Sequence, residues 1–216
     1  MAIRCVVFDV GETLVDESRQ WAEWADWLGV TRLTFSAALG AVIARGEHHR
    51  KVFDLVAPGF DLARAEALRA AAGSVYVIGP EDLYPDALPT LATLKAAGYR
   101  IGLAGNQPEA AEGALAACGF SADWIASSAR WKVEKPSAEF FLRVIDAAGC
   151  PASEIAYVGD RLDNDILPAL RAGMKAVFLT RGPWGVIHAA QDAADLATAR
   201  ISGLAELPDA LCAMIA

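Results

Sequence analysis

The 216-residue sequence lacks any apolar run near the roughly 18 residues that a membrane-spanning helix needs. Its N-terminus meets an acidic residue after one short apolar run and has no small-residue cleavage site, so we expect no signal peptide. Basic residues are also few: 19 Lys and Arg stand against 27 Asp and Glu, which gives a net charge of −8. Because nucleic-acid binding depends on basic patches, we expect a protein that does not bind nucleic acid. The missing apolar run and signal peptide lead us to expect a cytoplasmic protein that does not bind membranes.

Cysteine is scarce and scattered. Cys5, Cys118, Cys150 and Cys212 form no CxxC pair and have no histidine at metal-ligand spacing. None of them has an obvious basic neighbour that would lower its pKa for catalysis. The pattern predicts four free, mostly buried thiols rather than a disulfide framework or a zinc site.

Apolar residues are abundant, at 55% of the chain, and from residue 84 onward they form short runs that alternate with helical patterns. The predicted strands cover 3–8, 100–104, 124–126, 155–158 and 175–179. One helix is predicted to begin near Pro108, and two further helices are predicted at 137–149 and 166–172. Short, continuously apolar strands that alternate with helices indicate a Rossmann-like parallel sheet covered by helices on both faces.

Residues 16–83 differ from the rest of the chain, because they show helical periodicity without a strong strand. Trp21, Trp24 and Leu28 recur at helical spacing, which predicts packing rather than cofactor stacking. The sequence therefore predicts an α/β core, residues 1–15 and 84–216, interrupted by an all-helical insertion.

Charged residues follow the predicted strands at the edge where open parallel sheets bind ligands. Asp9 follows the first strand, Asp160 and Asp165 follow the strand at 155–158, and Lys135 precedes a helix. Carboxylates gathered in one crevice repel one another unless a cation lies among them, and a hard ion such as Mg²⁺ fits such ligands. With the lysine, this arrangement suits a phosphoryl group that a carboxylate attacks.

The sequence resembles the haloacid dehalogenase-like (HAD) hydrolase superfamily in four segments that stand in register: FDVGETLV (8–15), YRIGLAGNQ (99–107), VEKPSAEFF (133–141) and YVGDRLDNDILPALRAGM (157–174). The resemblance covers essentially the whole chain. It identifies residues 16–83 with the helical cap of these enzymes, and it places TRGPWG (180–185) in the loop after the last core strand. It implies a magnesium-dependent phosphatase that acts on a small phosphorylated metabolite through an aspartyl-phosphate.

The resemblance also implies a role for each matching residue. Asp9 is similar to the nucleophile, and Lys135 to the lysine that steadies this nucleophile and the phosphoryl oxygens. Asp160 is similar to a magnesium ligand, with Asp9 itself and the backbone carbonyl of Gly11 as further ligands. Asp165 corresponds to the second acid of the motif, which is a ligand or its supporting group.

Two glycines depart from the family's pattern. Phosphatases of the family usually have an aspartate where this chain has Gly11, and that aspartate acts as general acid and base. They usually place a serine or threonine hydroxyl where this chain has Gly105, although the backbone N–H of Asn106 can still donate to phosphate. The loss of general acid–base help, worth about 10²–10⁴-fold in rate, predicts a slow phosphatase or a leaving group that needs no proton. Glu12 or a cap residue are candidate replacements.

The missing aspartate leaves other activities open. Dehalogenases of the superfamily also lack it, but Asp160 and Asp165 resemble a retained metal site that dehalogenases do without. Phosphonatases carry a small residue there and use a cap lysine as a Schiff base, a role for which Lys51 is the candidate. A catalytically impaired phosphate-binding module is the alternative outside enzymes.

The insertion contains one basic cluster. The sequence leaves two roles open for it: recognition of an anionic substrate, or a solvated helix face. Its members are Arg45, His48, His49, Arg50 and Lys51. The predicted protein is a monomer or a homodimer.

Overall fold

The short apolar runs of the sequence pair into one parallel sheet in the structure, a computed structural model that describes residues 2–214. Over those residues the six strands are β1 Cys5–Phe8, β2 Arg100–Gly105, β3 Trp124–Ser127, β4 Ile155–Gly159, β5 Lys175–Leu179 and β6 Ala199–Ile201. They lie in the order β3-β2-β1-β4-β5-β6. The predicted parallel sheet is confirmed, and β1 is fully buried because both faces of such a sheet are covered.

Helices occupy most of the remaining chain. The α-helices within residues 2–214 are α1 Ser18–Leu28, α2 Arg32–Ala44, α3 Lys51–Val56, α4 Leu62–Ala71, α5 Ala87–Ala96, α6 Ala110–Ala117, α7 Ser128–Trp131, α8 Ala138–Ala148, α9 Leu167–Arg171, α10 Gly182–His188 and α11 Leu207–Ala213. In α8, the predicted apolar face packs Phe140, Phe141 and Val144 into the core with Tyr157. Gly149 ends α8 in a left-handed conformation, as its sequence position predicts.

The strand order creates a crevice at the centre of the sheet. The chain first builds outward from β1 through β2 to β3, and then returns to the other side of β1 to place β4, β5 and β6. The order therefore reverses between β1 and β4, and their carboxyl ends border the crevice in which open α/β sheets bind ligands.

Several predicted elements are corrected by the structure. The first strand begins at Cys5 rather than Ile3, and α6 begins at Ala110, just beyond Pro108. The helix predicted at 166–172 is confirmed as α9, and a π-helical turn that the sequence did not predict, Leu162–Ile166, precedes it. TRGPWG is not a loop after the last strand: α10 begins at Gly182 and β6 follows, since a three-residue edge strand leaves almost no sequence signal.

The chain divides into two compact units. The first contains the residues up to Asp16 and those from Ile78 onward, and the second is Glu17–Val77. The predicted insertion, 16–83, thus extends six residues further at its C-terminal end than the second unit. Residues 78–83 belong with the first unit because Leu83 bridges to Val15 and Asp82 is buried.

An aromatic cluster holds the helical second unit together. Phe53 contacts Trp24 with ring centroids 5.0 Å apart, and it contacts Phe35 at 5.8 Å. The guanidinium of Arg69 lies 4.4 Å from the ring centroid of Trp24 and donates to Glu23 at 2.6 Å. These contacts fit the predicted packing role of the tryptophans.

No single helix within residues 2–214 is long and apolar enough to cross a membrane. By length and composition α1 and α2 could do so only as a pair, and that pair is bent by 113°. All four cysteines are free, as predicted. Cys5 and Cys118 are buried and Cys150 is half-buried, whereas Cys212 is exposed, which corrects the expectation for that thiol.

Two helical glycines provide a test of the packing of α10 against β5. A Cβ added at Gly185 would lie 2.7 Å from the backbone carbonyl oxygen of Leu179, whereas a Cβ at Gly113 in α6 would meet nothing within 4 Å. Gly113→Ala should stabilise the protein by about 0.5–1 kcal/mol through helix propensity. Gly185→Ala should destabilise it by about 1–3 kcal/mol through overpacking. Thermal unfolding of both variants measures the difference, and equal midpoints would contradict this packing.

Candidate active site

Three carboxylates meet where β1 and β4 end. Asp9 directly follows β1 and Asp160 directly follows β4, and these two strands pair in parallel. Asp165 comes from the π-helical turn beyond β4. One oxygen of each carboxylate lies within 4.8 Å of the others, and no residue of the three is more than 7% exposed. The structure therefore brings together the three acids that the sequence predicted as metal ligands.

The ammonium group of Lys135 lies among these carboxylates. Its Nζ donates to Oδ1 of Asp9 and to Oδ1 of Asp165, both at 2.6 Å. Burial alone would lower the pKa of Lys135, but the carboxylates of Asp165 and Asp9 outweigh it and hold this pKa well above its ordinary value. The lysine is therefore charged at neutral pH, and removing one partner of such a buried pair typically costs about 3–5 kcal/mol.

The side chain of Asn106 holds the backbone of Lys135. Its Nδ2 donates to the carbonyl oxygen of Lys135 at 3.0 Å, and its Oδ1 accepts from the Lys135 N–H at 2.8 Å. Since Asn106 directly follows β2, this double hydrogen bond ties the lysine loop to the end of the sheet. The sequence predicted only a phosphate contact from the backbone of Asn106 and missed this role of the side chain.

Asp160 carries an unsatisfied acceptor. Its Oδ2 is buried and has no hydrogen-bond partner among residues 2–214. Burial raises the pKa of Asp160 well above its ordinary value, and the carboxylates of Asp165, Asp9 and Glu12 raise it further. An orphaned oxygen within a cluster of acids fits a hard cation, because Mg²⁺ prefers carboxylate and carbonyl oxygens. The residues present therefore fit the predicted magnesium.

Asp165 is hydrogen-bonded through both oxygens. Oδ1 accepts from Lys135, and Oδ2 accepts from the backbone N–H of Arg161 at 3.0 Å. Burial raises the pKa of Asp165 to about 6, although Lys135 opposes this effect. A Cβ at Gly159 would lie 2.5 Å from Cγ of Asp165, so only glycine permits this approach. The geometry favours the supporting role among the two roles that the sequence left open for Asp165.

Gly105, one of the two departures from the family's pattern, lies against Asp9. A Cβ at Gly105 would be 2.7 Å from Oδ1 of Asp9 and 3.3 Å from Cγ2 of Val10. A serine or threonine would therefore displace the carboxylate from its hydrogen bond with Lys135. The other departure, Gly11, is half-buried in the turn that follows Asp9. A β-bridge between Gly11 and Val15 closes this turn.

Glu12 has a structural partner that the sequence did not reveal. Its backbone is left-handed, with φ of 53°, and its buried carboxylate accepts a hydrogen bond from the hydroxyl of Tyr84 at 2.6 Å. Burial and the Glu12 carboxylate raise the pKa of Tyr84, so the phenol is the donor. The partners are 72 positions apart in the sequence, which explains why no sequence pattern indicated the pair. The contact favours a structural role for Glu12 over that of a replacement acid.

Asp163, in the same turn as Asp165, faces solvent. Its carboxylate is 59% exposed and accepts from Nε and Nη2 of Arg161, at 3.1 and 2.6 Å. The Arg161 guanidinium in turn lies 5.1 Å from the ring centroid of Trp184. Asp163 therefore pairs with a neighbouring cation rather than with the buried cluster.

The basic cluster of the second unit is largely neutralised by acids of that unit. Three of its cations lie within 3.7 Å of a carboxylate: Arg45 with Glu47, Arg50 with Glu66, and Lys51 with Asp54. The rings of His48 and His49 stack with centroids 4.3 Å apart. These pairs favour a solvated surface over the recognition of an anionic substrate. The predicted helix face is wrong, because four of the five residues lie in the turn between α2 and α3.

The fold and the buried cluster define the class of the protein: a Rossmann-like α/β enzyme with carboxylates and a lysine at the central crevice of its sheet. The chain belongs to the haloacid dehalogenase-like hydrolases, since the sequence model of that family matches residues 3–173.

Similar proteins agree with this membership. A glyceraldehyde 3-phosphate phosphatase of Methanopyrus kandleri is 31% identical, over 84% of this chain and 86% of its own length. A phosphoglycolate phosphatase of Pseudomonas fluorescens is 29% identical, over 83% of this chain and 70% of its own. The crystal structure of the putative HAD-hydrolase YfnB of Bacillus subtilis, bound to magnesium, has the same fold, with a TM-score of 0.73, 18% identity and coverage of 98% and 99% of the two chains.

Asp160→Asn tests the charge balance of the cluster. The variant keeps the shape of the side chain but removes its charge. Because the pKa of Asp160 is raised in the folded state, ionisation of this carboxylate destabilises the wild type as the pH rises. Without divalent cations, the unfolding midpoint of the variant should therefore exceed that of the wild type, and the difference should grow with pH. Mg²⁺ should raise the midpoint of the wild type by binding the folded state and should not raise that of the variant. The exposed Asp146→Asn is the matched control. Equal stabilisation by Mg²⁺ in both variants would contradict the assignment.

Proposed function

We propose that the protein is a magnesium-dependent phosphatase that hydrolyses a small phosphorylated metabolite through an aspartyl-phosphate on Asp9. The observation that carries the proposal is the pairing of Asp9 with Lys135 at 2.6 Å, in a buried cluster where Asp160 retains an unsatisfied oxygen. The phosphatase relatives support the reaction, since they are named for glyceraldehyde 3-phosphate and phosphoglycolate, both small phosphomonoesters. A cytoplasmic location and a monomeric or dimeric state belong to the same proposal.

The first step is assigned to the second oxygen of Asp9. Because Lys135 binds Oδ1, Oδ2 is the atom that attacks phosphorus. A bond forms between Oδ2 and phosphorus while the bond between phosphorus and the ester oxygen breaks, and the alcohol leaves. Lys135, together with the backbone at Gly105 and Asn106, binds the phosphoryl oxygens and neutralises part of their charge. Water then attacks phosphorus, the bond between phosphorus and Oδ2 breaks, and the proton lost by the water passes to the released phosphate or to solvent, which restores the carboxylate.

Asp9, Asp160 and the backbone carbonyl of Gly11 are the residues that would hold magnesium, with Asp165 as a ligand or as the support of one. When bound, the ion offsets the repulsion between the carboxylates and the phosphoryl group and polarises the phosphoryl oxygens. Lys135 orients Asp9 for attack through its hydrogen bond.

The leaving alcohol receives no proton from the position that usually supplies it. Gly11 has no side chain, and the neighbouring Glu12 carboxylate accepts from Tyr84. With neither side chain available, we expect the alcohol to take its proton from water, so that the rate depends steeply on how stable the leaving anion is. A phenolic phosphate should be hydrolysed faster than an alkyl phosphate.

Asp9→Asn tests the nucleophile. The amide is nearly isosteric but cannot form the acyl-phosphate, so we expect phosphate release to fall by about 10³-fold or more, as for other residues that form the covalent intermediate. The assay uses glyceraldehyde 3-phosphate, phosphoglycolate and p-nitrophenyl phosphate with Mg²⁺. Asp146→Asn, the same change on an exposed helix position, should retain wild-type activity. Turnover that survives Asp9→Asn would overturn the mechanism.

Gly11→Asp tests the missing acid. It should raise the hydrolysis of phosphoglycolate, up to about 10²–10⁴-fold, and should change that of p-nitrophenyl phosphate little, because nitrophenolate leaves without a proton. Gly11→Asn has nearly the same size but donates no acidic proton, so it serves as the control. An equal effect of Gly11→Asp on both substrates would show that protonation of the leaving group does not limit the rate.

The alternatives to a phosphatase predict different outcomes in the same assays. A dehalogenase releases halide from a 2-haloacid without Mg²⁺, and a phosphonatase of the Schiff-base type loses turnover with Lys51→Met. A phosphate-binding module binds Mg²⁺ and phosphate but turns over none of these substrates. Asp160 and its unsatisfied oxygen support a magnesium-dependent reaction over the magnesium-independent dehalogenase.

A further inference from the structure

Arg181 connects segments that are distant in the sequence. It follows β5 by two residues, and its side chain is 13% exposed. Nη1 donates to Oδ1 of Asp86 at 2.7 Å, Nη2 donates to the backbone carbonyl of Thr13, and the guanidinium lies 3.8 Å from the ring centroid of Tyr84. A single side chain thus contacts the turn after Asp9 and the chain that returns at Tyr84–Asp86.

The turn after Asp9 is held both from inside and from outside. Inside, the N–H groups of Leu14 and Val15 both donate to the carbonyl of Val10, at 2.8 and 3.0 Å. Outside, Arg181 binds the carbonyl of Thr13, and Tyr84, the ring beneath the guanidinium, donates to the carboxylate of Glu12. Two successive residues of the turn, directly after Gly11, are therefore fixed by the Arg181–Tyr84 pair.

The geometry is specific to a guanidinium at position 181 and to a glycine after it. A planar fork can donate to a carboxylate and a carbonyl while its face lies on an aromatic ring, which an ammonium cannot do. Asp86 is itself fixed, because its Oδ2 accepts from the Leu204 N–H at 2.8 Å. A Cβ at Gly182 would lie 2.4 Å from Oε2 of Glu12.

The arrangement has an energetic cost that argues for a function. Nε of Arg181 is buried and has no hydrogen-bond partner among residues 2–214. A buried donor without a partner destabilises the folded state, because it loses its hydrogen bonds to water. Glu12 adds strain, since a left-handed backbone is unfavourable for a residue other than glycine. Both costs fall on the contacts that fix the turn beside Asp9.

We propose that Arg181 is a positioning residue for the reaction at Asp9. Arg181 fixes the turn directly at Thr13, and at Glu12 through Tyr84. Because Gly11 immediately precedes these two residues, the same contacts orient its backbone and direct its carbonyl toward the cation site. The role in turnover rests on the proposed function, whereas the role in cation binding can be measured without substrate.

The test combines a truncation with chemical rescue. Arg181→Ala should weaken Mg²⁺ binding, measured calorimetrically without substrate, by about 10–100-fold, the effect typical of groups that orient metal ligands. It should lower kcat and leave KM nearly unchanged. Guanidinium ion, far below denaturing concentrations, should restore part of both Mg²⁺ affinity and kcat. Arg181→Lys should stay impaired and should not respond to guanidinium, while the exposed Arg171→Ala should match the wild type.

A second variant covers the case in which Arg181→Ala does not fold. Tyr84→Phe keeps the ring under the guanidinium and removes only the hydroxyl that binds Glu12, so it should fold and should weaken Mg²⁺ binding by a smaller factor. The proposal would be overturned if folded Arg181→Ala bound Mg²⁺ as tightly as the wild type. If Arg181→Ala is unfolded, the same result in Tyr84→Phe would overturn it. So would a loss that guanidinium leaves unchanged, or a wild type that binds no Mg²⁺. If rescue of Mg²⁺ binding succeeds but the wild type turns over no phosphomonoester, Arg181 keeps its role and the proposed phosphatase fails.

Discussion

The charge of Lys135 is the constraint on which the central crevice depends. Three carboxylates with oxygens within 4.8 Å of one another repel strongly in a buried site, and the lysine offsets that repulsion with hydrogen bonds to Asp9 and Asp165. One cation cannot balance three acids, and the imbalance remains on Asp160, whose Oδ2 has no partner among the described residues. The same feature that destabilises the cluster prepares it for a divalent cation, in line with the frequent conflict between stability and function at active sites.

Close approach around these charges is made possible by glycine. Gly159 admits the carboxylate of Asp165, and Gly105 leaves Asp9 in place beside Lys135. In the sequence, Gly105 is only the loss of a hydroxyl that phosphatases of the family usually have. In the structure it also has a steric meaning, because a side chain there would displace the Asp9 carboxylate from its hydrogen bond with Lys135. The departure at this position and the Asp9–Lys135 hydrogen bond are therefore consistent with each other.

The turn after Asp9 links the charge cluster to the rest of the first unit. It carries Gly11, whose missing side chain removes the usual proton donor, and Glu12, whose carboxylate is held by Tyr84. Arg181 binds the next residue, Thr13, and is itself held by Asp86, which also binds the N–H of Leu204. Contacts from two distant parts of the chain, at Tyr84 and Arg181, thus converge on Glu12 and Thr13. The orientation of the backbone beside Asp9 therefore depends on tertiary structure as much as on the motif itself.

The sequence alone determined the parallel α/β architecture, because buried strands and amphipathic helices have distinct periodicities, and it placed Asp9, Asp160, Asp165 and Lys135 near one another because parallel strands end at a common edge. It did not determine β6, whose three residues carry too little pattern, or the beginning of α10 at Gly182. Nor did it reveal which atoms pair: Asn106 with the backbone of Lys135, Tyr84 with Glu12, and Arg181 with Thr13. Those contacts join residues between 29 and 168 positions apart, and only the packing of the folded chain brings such residues within hydrogen-bond distance.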